Sequence, residues 1–239
     1  MIPKVAVVLA GGLGTRISAV ADGKPKVLLD VAGKPFIRRK LDELARNGVT
    51  GALLLLGYGA EQVTEWLNSN PSPIVVACVV DGPTLQGTGG ALLDALPLLP
   101  EFFYLTYGDS LLELDYGQLA GRVSGDARKR SCLAVTRPQA FMDGRCNTAV
   151  HGGRVVAHSK VDVAADMHWL DYGLSLLRKN HLRRFAKATR PLDLSVLYDE
   201  LSREDKLLAY ETVEPYLEIG TPESLEHVRQ SVHGVGPLV

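Results

Sequence analysis

The sequence lacks long hydrophobic runs and any marked excess of charge of one sign. Its longest apolar stretches, such as Ala52–Leu56 and Ile74–Val80, are too short to span a bilayer. The formal net charge is −1, and 46% of the residues are hydrophobic while 22% are charged. This is the balance of an ordinary globular protein. We therefore expect neither a membrane nor a nucleic acid among the partners of this chain.

Cysteine is also scarce, because the chain contains only Cys78, Cys132 and Cys146, widely spaced. An odd, scattered set predicts reduced thiols in or near the core and excludes a disulfide framework. The six histidines form no pair at the spacing of a zinc site. Met1-Ile2-Pro3-Lys4 leads directly into an apolar run, so we expect no signal peptide and a cytoplasmic protein.

The first half of the chain predicts strands that alternate with helices. The apolar runs that we interpret as strands are Val5–Ala10, Ala52–Leu56, Ile74–Val80 and Phe102–Tyr107, and we expect the first two to be buried. Helical patterns lie between them and end at turn signals such as Asn47-Gly48. This order is typical of an α/β fold with a mainly parallel sheet and right-handed crossovers.

The second half predicts shorter strands that are separated by glycine and polar residues. Gly152-Gly153 is interpreted as a hairpin turn. The predicted strands are Ser131–Thr136, Asn147–Val150, Arg154–Ser159, Leu207–Val213 and Tyr216–Ile219. The predicted helices are Leu174–Arg184, Leu192–Leu201 and Pro222–Gln230.

A glycine-rich segment follows the first predicted strand. It contains Gly11, Gly12, Gly14, Thr15 and Arg16, and then Lys24 and Lys26. Glycine has no Cβ and lets backbone N–H groups approach phosphate oxygens. Arginine and lysine add positive charge. We predict that this segment holds a polyphosphate, the alternative being a turn that merely joins a strand to a helix.

Two common phosphate-binding motifs do not fit this segment. A Walker loop requires Gly-x-x-x-x-Gly-Lys-Ser/Thr, and no such run follows Val5–Ala10. A dinucleotide fingerprint would continue towards a third glycine, where this chain has Arg16 and Ile17.

Polar residues also follow the third and fourth predicted strands, where open α/β sheets bind ligands. Gln86, in Asp81–Gly90, has an amide that can donate and accept and so could read a base. Thr88 in the same run could instead serve only as a helix N-cap. Asp109, in Tyr107–Ser110, would face the same crevice as the glycine-rich segment. There it could hold Mg²⁺ on nucleotide phosphates, or it could simply cap a helix.

These motifs together resemble the signature of the sugar-1-phosphate nucleotidyltransferases, in which Gly-Gly-x-Gly-Thr-Arg is followed by Pro-Lys. The resemblance runs in family order from Val5 to about His227, and it is greatest to short bacterial members of the heptose-1-phosphate guanylyltransferase type. It implies a Rossmann-like three-layer α/β/α fold with a mixed, mainly parallel sheet. It also implies a single domain over residues 1–239, with nucleotide bound by about 1–110 and sugar phosphate by about 111–232.

The reaction that the resemblance implies joins an NTP to a sugar 1-phosphate and releases pyrophosphate. The product would be an NDP-sugar for surface polysaccharide or other glycan synthesis. Mg²⁺ is the implied cofactor, no protein nucleophile is needed, and homo-oligomer formation is left open.

The resemblance assigns roles to individual residues. The implied nucleotide-binding set is Leu9, Ala10, Gly11, Gly12, Gly14, Thr15, Arg16, Lys26, Gln86, Gly87 and Thr88. The implied catalytic residues are Arg16, Lys26, Asp109 and Lys160, and the implied sugar-phosphate set is Asn147, Lys160, Asp171 and Gly173. Lys160 could also be an ordinary surface lysine, and Asn147 a turn residue.

Asp109 and Glu218 are the implied metal ligands, but Glu218 departs from the family pattern. The family has Asp-Ile-Gly-Thr-Pro-Glu where this chain has Glu218-Ile219-Gly220-Thr221-Pro222-Glu223. The longer side chain could instead sit at the N-terminus of the helix that starts at Pro222, where negative charge is favourable.

Two other functions remain open from the sequence. One is a cytidylyltransferase for a non-sugar phosphate such as phosphocholine or a polyol phosphate. The other is a catalytically silent, nucleotide-binding regulatory protein. Arg16, Lys26, Asp109 and Lys160 argue against the silent alternative, because such a protein has no chemical need for all four.

Overall fold

The structure is a computed structural model that describes residues 2–138 and 145–234. Its strands are β1 (Val5–Ala10), β2 (Asp30–Val31), β3 (Lys34–Pro35), β4 (Gly51–Leu56), β5 (Val75–Val80), β6 (Phe102–Tyr107), β7 (Ser110–Leu112), β8 (Ser131–Thr136), β9 (Thr148–His151), β10 (Arg154–His158), β11 (Leu170–Arg178), β12 (Leu207–Thr212) and β13 (Tyr216–Glu218). Its α-helices are α1 (Ser18–Ala21), α2 (Phe36–Arg46), α3 (Ala60–Ser69), α4 (Gly87–Ala95), α5 (Tyr116–Ser124), α6 (Lys179–Leu182), α7 (Leu194–Arg203) and α8 (Pro222–Gly234).

One mixed sheet of nine strands runs through the described part of the chain, in the order β5-β4-β1-β6-β11-β8-β12-β10-β9. The strands β5, β4, β1 and β6 are parallel neighbours. Strand β11 is antiparallel to both β6 and β8. Strands β13 and β7 form a small antiparallel ribbon beside this sheet. The predicted α/β fold with a mixed sheet is confirmed, and its parallel pairing is concentrated in the first half.

Helices cover both faces of the sheet because successive side chains of a strand point to opposite sides. Ala6 and Val8 of β1 pack in a core with residues of α2, α3 and α5. Val7 and Leu9 pack in a second core with residues of α4 and α7. The predicted three-layer α/β/α arrangement is therefore present.

The predicted helix at Leu174–Arg184 is wrong. Residues Leu170–Arg178 form strand β11, and only Lys179–Leu182 are helical. The leucine spacing of this run matches a helix, but its residues from Tyr172 to Leu177 are buried without interruption. A strand between two others is covered on both faces and needs such a run. Tertiary pairing has therefore overridden the good helix propensity of leucine.

The predicted hairpin and the predicted free thiols are confirmed. Gly152 and Gly153 have φ values of 57° and 70° and join the antiparallel strands β9 and β10, as expected for a tight hairpin. Cys78, Cys132 and Cys146 are free, and Cys132 is buried. Among the helices of residues 2–138 and 145–234, none has the length and apolar content needed to cross a bilayer.

A third apolar cluster fixes the glycine-rich segment against the C-terminal helix. Ile17, which follows Arg16, is 1% exposed and packs with Ile219 and with Leu225 and Val228 of α8. This contact joins two segments that lie about 200 residues apart in the sequence. It brings the surroundings of Arg16 next to those of Glu218.

Helix α2 carries a fully buried ion pair below the ends of β6 and β7. Lys40 and Glu43 are 0% and 1% exposed, and Lys40 Nζ lies 3.0 Å from both Glu43 oxygens. The Glu43 carboxylate also accepts hydrogen bonds from the Leu112 N–H and the Tyr116 hydroxyl. Lys40 donates to the Thr106 hydroxyl at 3.4 Å. The ion pair is therefore hydrogen-bonded to both strands that flank Asp109.

Lys40→Met should destabilise the protein by about 3–5 kcal/mol, because it leaves the Glu43 carboxylate buried without its cation. Lys34→Met is the matched control on the same side of the molecule. Lys34 is 57% exposed and lies 3.8 Å from Asp42, so its loss should change the stability by less than about 0.5 kcal/mol. Urea unfolding of both variants tests this, and equal losses would contradict a structural role for the buried pair.

Candidate active site

The carboxyl ends of β1 and β6 meet at one edge of the sheet. The Gly108 N–H donates to the Leu9 carbonyl at 2.8 Å, which locks the two strand ends together. A Cβ on Gly108 would lie 3.0 Å from the Ala10 Cβ, so glycine is needed for this close approach. Leu9 and Ala10 are themselves buried. The predicted phosphate-binding segment and Asp109 therefore both follow directly from this edge of the sheet.

Residues 11–14, three of which are glycines, form a loop above this edge. Gly14 has a φ of 62°, the left-handed region that favours glycine. A Cβ on Gly11 would lie 3.0 Å from the backbone nitrogen of Gly57, whereas one on Gly12 would meet nothing within 4 Å. The loop is thus packed against β4 on one side and open on the other. Thr15 and Arg16 follow on the exposed side.

Lys26 and Asp109 form an ion pair at the floor of this crevice. The Lys26 ammonium donates to Oδ2 of Asp109, and the two side chains are 19% and 18% exposed. Lys26 begins a short 3₁₀ turn whose Val27 is buried against Gly108. The aliphatic stem of Lys26 lies beside Gly14. Residues from two distant motifs are therefore in direct contact.

Glu218 lies beside Asp109, as the sequence analysis required of a second metal ligand. Strand β13 pairs with β7 so that Glu218 is opposite Ser110, and the Ile219 N–H donates to the Asp109 carbonyl at 2.9 Å. Burial raises the pKa of Glu218, and the negative charge of Asp109 adds to this effect. A hydrogen bond from Tyr216 and the charges of Lys26 and Arg16 lower the pKa of Glu218 in turn.

The start of α8 is capped by other residues. The Thr221 hydroxyl accepts from the Ser224 N–H at 3.2 Å, and the Ser224 hydroxyl accepts from the Thr221 N–H at 2.9 Å. This reciprocal pair resembles a capping box. The carboxylate of Glu218 instead accepts a hydrogen bond from the Tyr216 hydroxyl. These contacts therefore do not support the capping interpretation of Glu218.

Gly220 separates the Glu218 carboxylate from the Arg16 guanidinium. A Cβ at this position would lie 2.9 Å from Oε1 of Glu218 and 3.5 Å from Nη2 of Arg16. The absence of a side chain lets both charged groups approach the same stretch of backbone. Arg16, Lys26, Asp109 and Glu218, which are scattered along the sequence, are thus gathered at one edge of the sheet.

The two carboxylates fit a divalent cation. Hard oxygen donors are what Mg²⁺ prefers, and it commonly takes one or two carboxylates together with substrate phosphates. Asp109 already pairs with one cation, the ammonium of Lys26, and the Asp109 charge opposes ionisation of Glu218. Across residues 2–138 and 145–234, no group of three or more His, Cys, Asp or Glu side chains could hold a metal. A nucleotide would have to supply the remaining ligands.

The Gln86–Thr88 run adjoins both the glycine-rich loop and the second half of the chain. A Cβ on Gly57 would lie 2.6 Å from the Gly11 carbonyl oxygen and 2.7 Å from Leu85, so the loop and the run are neighbours. The Gln86 N–H donates to Asp81, and its amide nitrogen donates to the Thr84 carbonyl at 2.6 Å. One of the two amide N–H donors of the predicted base-reading side chain is therefore bound within its own loop.

Gly87 and Thr88 contact the start of α7. Gly87 has a φ of 77°, and a Cβ there would lie 2.5 Å from the Leu192 carbonyl oxygen. The Thr88 hydroxyl accepts from the Leu194 N–H at 2.9 Å and lies 3.5 Å from the Asp193 carboxylate. Thr88 therefore ties the two halves together, a role that its sequence position did not indicate.

Lys160 lies in an ion pair with Asp193, the carboxylate that also lies near the Thr88 hydroxyl. The Lys160 Nζ lies 3.3 Å from Oδ1 of Asp193, and the two side chains are 41% and 47% exposed. Asp193 is also the N-cap of α7 and accepts from the Ser195 N–H. Burial opposes its ionisation, but Lys160 and the Ser195 hydrogen bonds lower the pKa of Asp193.

The other predicted sugar-phosphate residues lie together around a β-bulge in β11. The Asn147 Oδ1 atom accepts from the Asp171 N–H at 3.1 Å. The Asp171 carboxylate accepts from the Gly173 N–H and from the Tyr107 hydroxyl. Burial raises the pKa of Asp171 against these hydrogen bonds. Asn147, Asp171 and Gly173 are therefore brought together, and Tyr107 connects them to the strand that precedes Asp109.

Asp193, Tyr107 and Tyr216 are contact residues that sequence reasoning missed. Asp193 lies at the start of the predicted helix Leu192–Leu201, and the sequence pattern there indicates only that helix. Tyr107 and Tyr216 lie in strands next to Asp109 and Glu218, and their hydroxyl groups reach Asp171 and Glu218. A search for hydroxyl groups next to the predicted carboxylates would have found both tyrosines.

Comparison with known proteins identifies the family of this chain. The profile of the MobA-like NTP transferase domain matches residues 6–140. The chain is 26% identical over 226 residues to D-glycero-alpha-D-manno-heptose 1-phosphate guanylyltransferase of Campylobacter jejuni, covering 93% of this chain and 97% of that protein.

Two solved structures share the fold. HddC from Yersinia pseudotuberculosis has a TM-score of 0.79 and 24% identity, covering 96% of this chain and all of that one. The inositol-1-phosphate CTP transferase from T. maritima has a TM-score of 0.81 and 19% identity, covering 99% of each chain.

This chain is a nucleotidyltransferase. Because the family profile covers more than half of its residues, it belongs to the MobA-like NTP transferase domain family. The predicted resemblance to nucleotidyltransferases is thereby confirmed.

Gly220→Ala should slow nucleotidyl transfer by about tenfold or more, because its Cβ would lie 2.9 Å from Oε1 of Glu218 and would displace that carboxylate. Gly121→Ala in α5 is the matched control, since a Cβ there would meet nothing within 4 Å. Steady-state rates and thermal unfolding of both variants test this. A fully active Gly220→Ala enzyme would show that the Glu218 carboxylate need not lie as observed.

Proposed function

We propose that this enzyme transfers a nucleotidyl group from an NTP to a sugar 1-phosphate, giving an NDP-sugar and pyrophosphate. The observation that carries the proposal is the convergence of Arg16, Lys26, Asp109 and Glu218 below the open glycine loop. The similarity to the Campylobacter jejuni guanylyltransferase over nearly the whole chain supports a sugar 1-phosphate as the acceptor. The product would serve the synthesis of surface polysaccharide or other glycans.

The reaction needs positioning and charge neutralisation. An oxygen of the sugar phosphate attacks the α-phosphorus of the NTP in line, the bond to the bridging oxygen breaks, and pyrophosphate leaves with that electron pair. The backbone of residues 11–14 would hold the phosphates, and Arg16 would bind the β- and γ-phosphates and then the leaving pyrophosphate. Lys26 would lie against the α-phosphate, where negative charge must be neutralised as the acceptor approaches.

Asp109 and Glu218 would hold Mg²⁺ together with the nucleotide. When bound, Mg²⁺ would supply Lewis-acid stabilisation of the phosphate oxygens and a template for their orientation. Lys26 already neutralises Asp109 in the structure, so both cations would share one carboxylate. The raised pKa of Glu218 would fall when a cation binds, because opposite charge favours the ionised form.

Lys160 would receive the phosphate of the acceptor on the other side of the crevice. Its partner Asp193 lies on the α7 segment that contacts Thr88. Asn147, Asp171 and Gly173 would face the sugar hydroxyls. In this arrangement residues of about 1–110 bind the nucleotide and residues of about 111–232 bind the acceptor within one domain. The free thiols support a cytoplasmic location, since disulfides are rare there.

The proposed reaction predicts pyrophosphate release that requires a divalent cation and a phosphorylated acceptor. Coupled detection of pyrophosphate across four NTPs and a panel of sugar 1-phosphates, with and without Mg²⁺, tests it. Release of orthophosphate alone would indicate a phosphatase or NTPase and would overturn the proposal.

The same panel distinguishes the alternatives. Inositol 1-phosphate and phosphocholine with CTP belong in it, because the T. maritima structure is of an inositol-1-phosphate CTP transferase. Activity confined to those acceptors would favour the cytidylyltransferase. Tight NTP binding without turnover on any acceptor would favour a regulatory protein.

Lys160→Ala should raise the KM for the acceptor by about tenfold or more, while the KM for the NTP changes little. The loss of one cation that binds phosphate accounts for this size of effect. Lys187→Ala, an exposed lysine outside the site, is the control. A loss of NTP affinity with unchanged acceptor affinity would place Lys160 on the nucleotide side.

A further inference from the structure

We propose that Tyr216 is a positioning residue that orients the Glu218 carboxylate for the divalent cation. The inference rests on the proposed function, in which Glu218 and Asp109 hold that cation. It assigns a role to a side chain that carries no phosphate-binding chemistry of its own.

Tyr216 and Glu218 project from the same face of β13, because they are two residues apart on one strand. The Tyr216 hydroxyl donates to Oε2 of Glu218 at 2.5 Å. The other oxygen, Oε1, lies towards Gly220, where a Cβ would be 2.9 Å away. The tyrosine thus engages one carboxylate oxygen and leaves the other on the side where Arg16 approaches.

Glutamate needs such a partner at this position. Its side chain has one rotatable bond more than aspartate, and fixing that bond costs conformational entropy. A hydrogen bond to a charged acceptor can offset the cost.

The ring of Tyr216 is itself held in place from two sides. Its centroid lies 5.9 Å from that of Tyr172, whose hydroxyl donates to the Pro215 carbonyl at 2.7 Å. A Cβ on Gly173 would lie 3.6 Å from Tyr216 Cε2 and 3.4 Å from the Tyr107 ring. Gly173, whose φ of 88° favours glycine, therefore places β11 within van der Waals distance of the tyrosine ring. Strand β11, which carries Asp171 and Gly173, and the Glu218 carboxylate therefore both contact Tyr216.

Tyr216→Phe removes only the hydroxyl group and provides the test. It should raise the Mg²⁺ concentration for half-maximal rate by about five- to tenfold, the factor expected for one hydrogen bond to a charged group in a partly exposed site. The KM for the NTP at saturating Mg²⁺ should change less than twofold. Mn²⁺ binding to the enzyme–NTP complex without acceptor, followed by the loss of the free-ion EPR signal, should weaken by a similar factor.

Tyr172→Phe is the matched control, because its hydroxyl reaches Pro215, next to Tyr216, but contacts the backbone carbonyl there and not Glu218. It should leave Mn²⁺ binding unchanged even if it lowers the melting temperature. Glu218→Asp provides the second control, since the shorter carboxylate cannot reach the hydroxyl. In that background Tyr216→Phe should have no further effect on Mn²⁺ binding.

Unchanged or tighter Mn²⁺ binding in Tyr216→Phe would overturn the inference and leave the proposed function standing. Equal weakening by Tyr216→Phe in the wild-type and Glu218→Asp backgrounds would also overturn it, because the tyrosine would then act by another route. A wild-type enzyme–NTP complex that binds no more Mn²⁺ than the NTP alone would overturn both the inference and the metal site.

Discussion

The parallel pairing of β1 with β6 is the constraint on which the site depends. The register places Leu9 opposite Tyr107, and the next bond, from Gly108 to Leu9, ends both strands at one edge. Only because these ends coincide can Lys26, which follows the glycine loop, reach Asp109. The β7–β13 ribbon then starts from Asp109 and brings in Glu218. The positions of Lys26 and Glu218 next to Asp109 therefore depend on the pairing of β1 with β6.

A second junction joins the two halves of the chain. Gly89 and Gly90 contact the segment before α7 through backbone hydrogen bonds, and Thr88 does so through its hydroxyl group. Gly89 donates to the Leu192 carbonyl at 2.9 Å, and a Cβ there would lie 2.9 Å from the Asp193 carbonyl oxygen. The glycines of this run are therefore explained by packing between the two halves as well as by any contact with a nucleotide. Asp193 also forms an ion pair with Lys160, which connects Lys160 to this junction.

Much of the first half could be predicted from the sequence, because buried parallel strands are continuous apolar runs bounded by glycine. The same reasoning failed at β11, whose leucines fit a helix as well as a strand buried on both faces. Only its pairing with β6 and β8 decides between them. The clustering of Lys26 with Asp109 followed from the rule that strand ends share an edge. The partners of Lys160 and Glu218 could not be predicted in this way. Asp193 is 33 residues from Lys160, and the hydroxyl of Tyr216 was hidden in an ordinary strand pattern.

The position of β11 has a consequence for how the protein is made. Strand β6 is complete at Tyr107, but its second neighbour is not synthesised until residues 170–178. During translation, and in any fragment that ends before β11, the edge of an apolar strand stays open to pairing with another chain. Fragments cut near residue 140 would therefore be prone to aggregate even though they contain the glycine loop and Asp109. We therefore expect more active protein when the intact chain is expressed together with chaperones that bind unpaired strand edges.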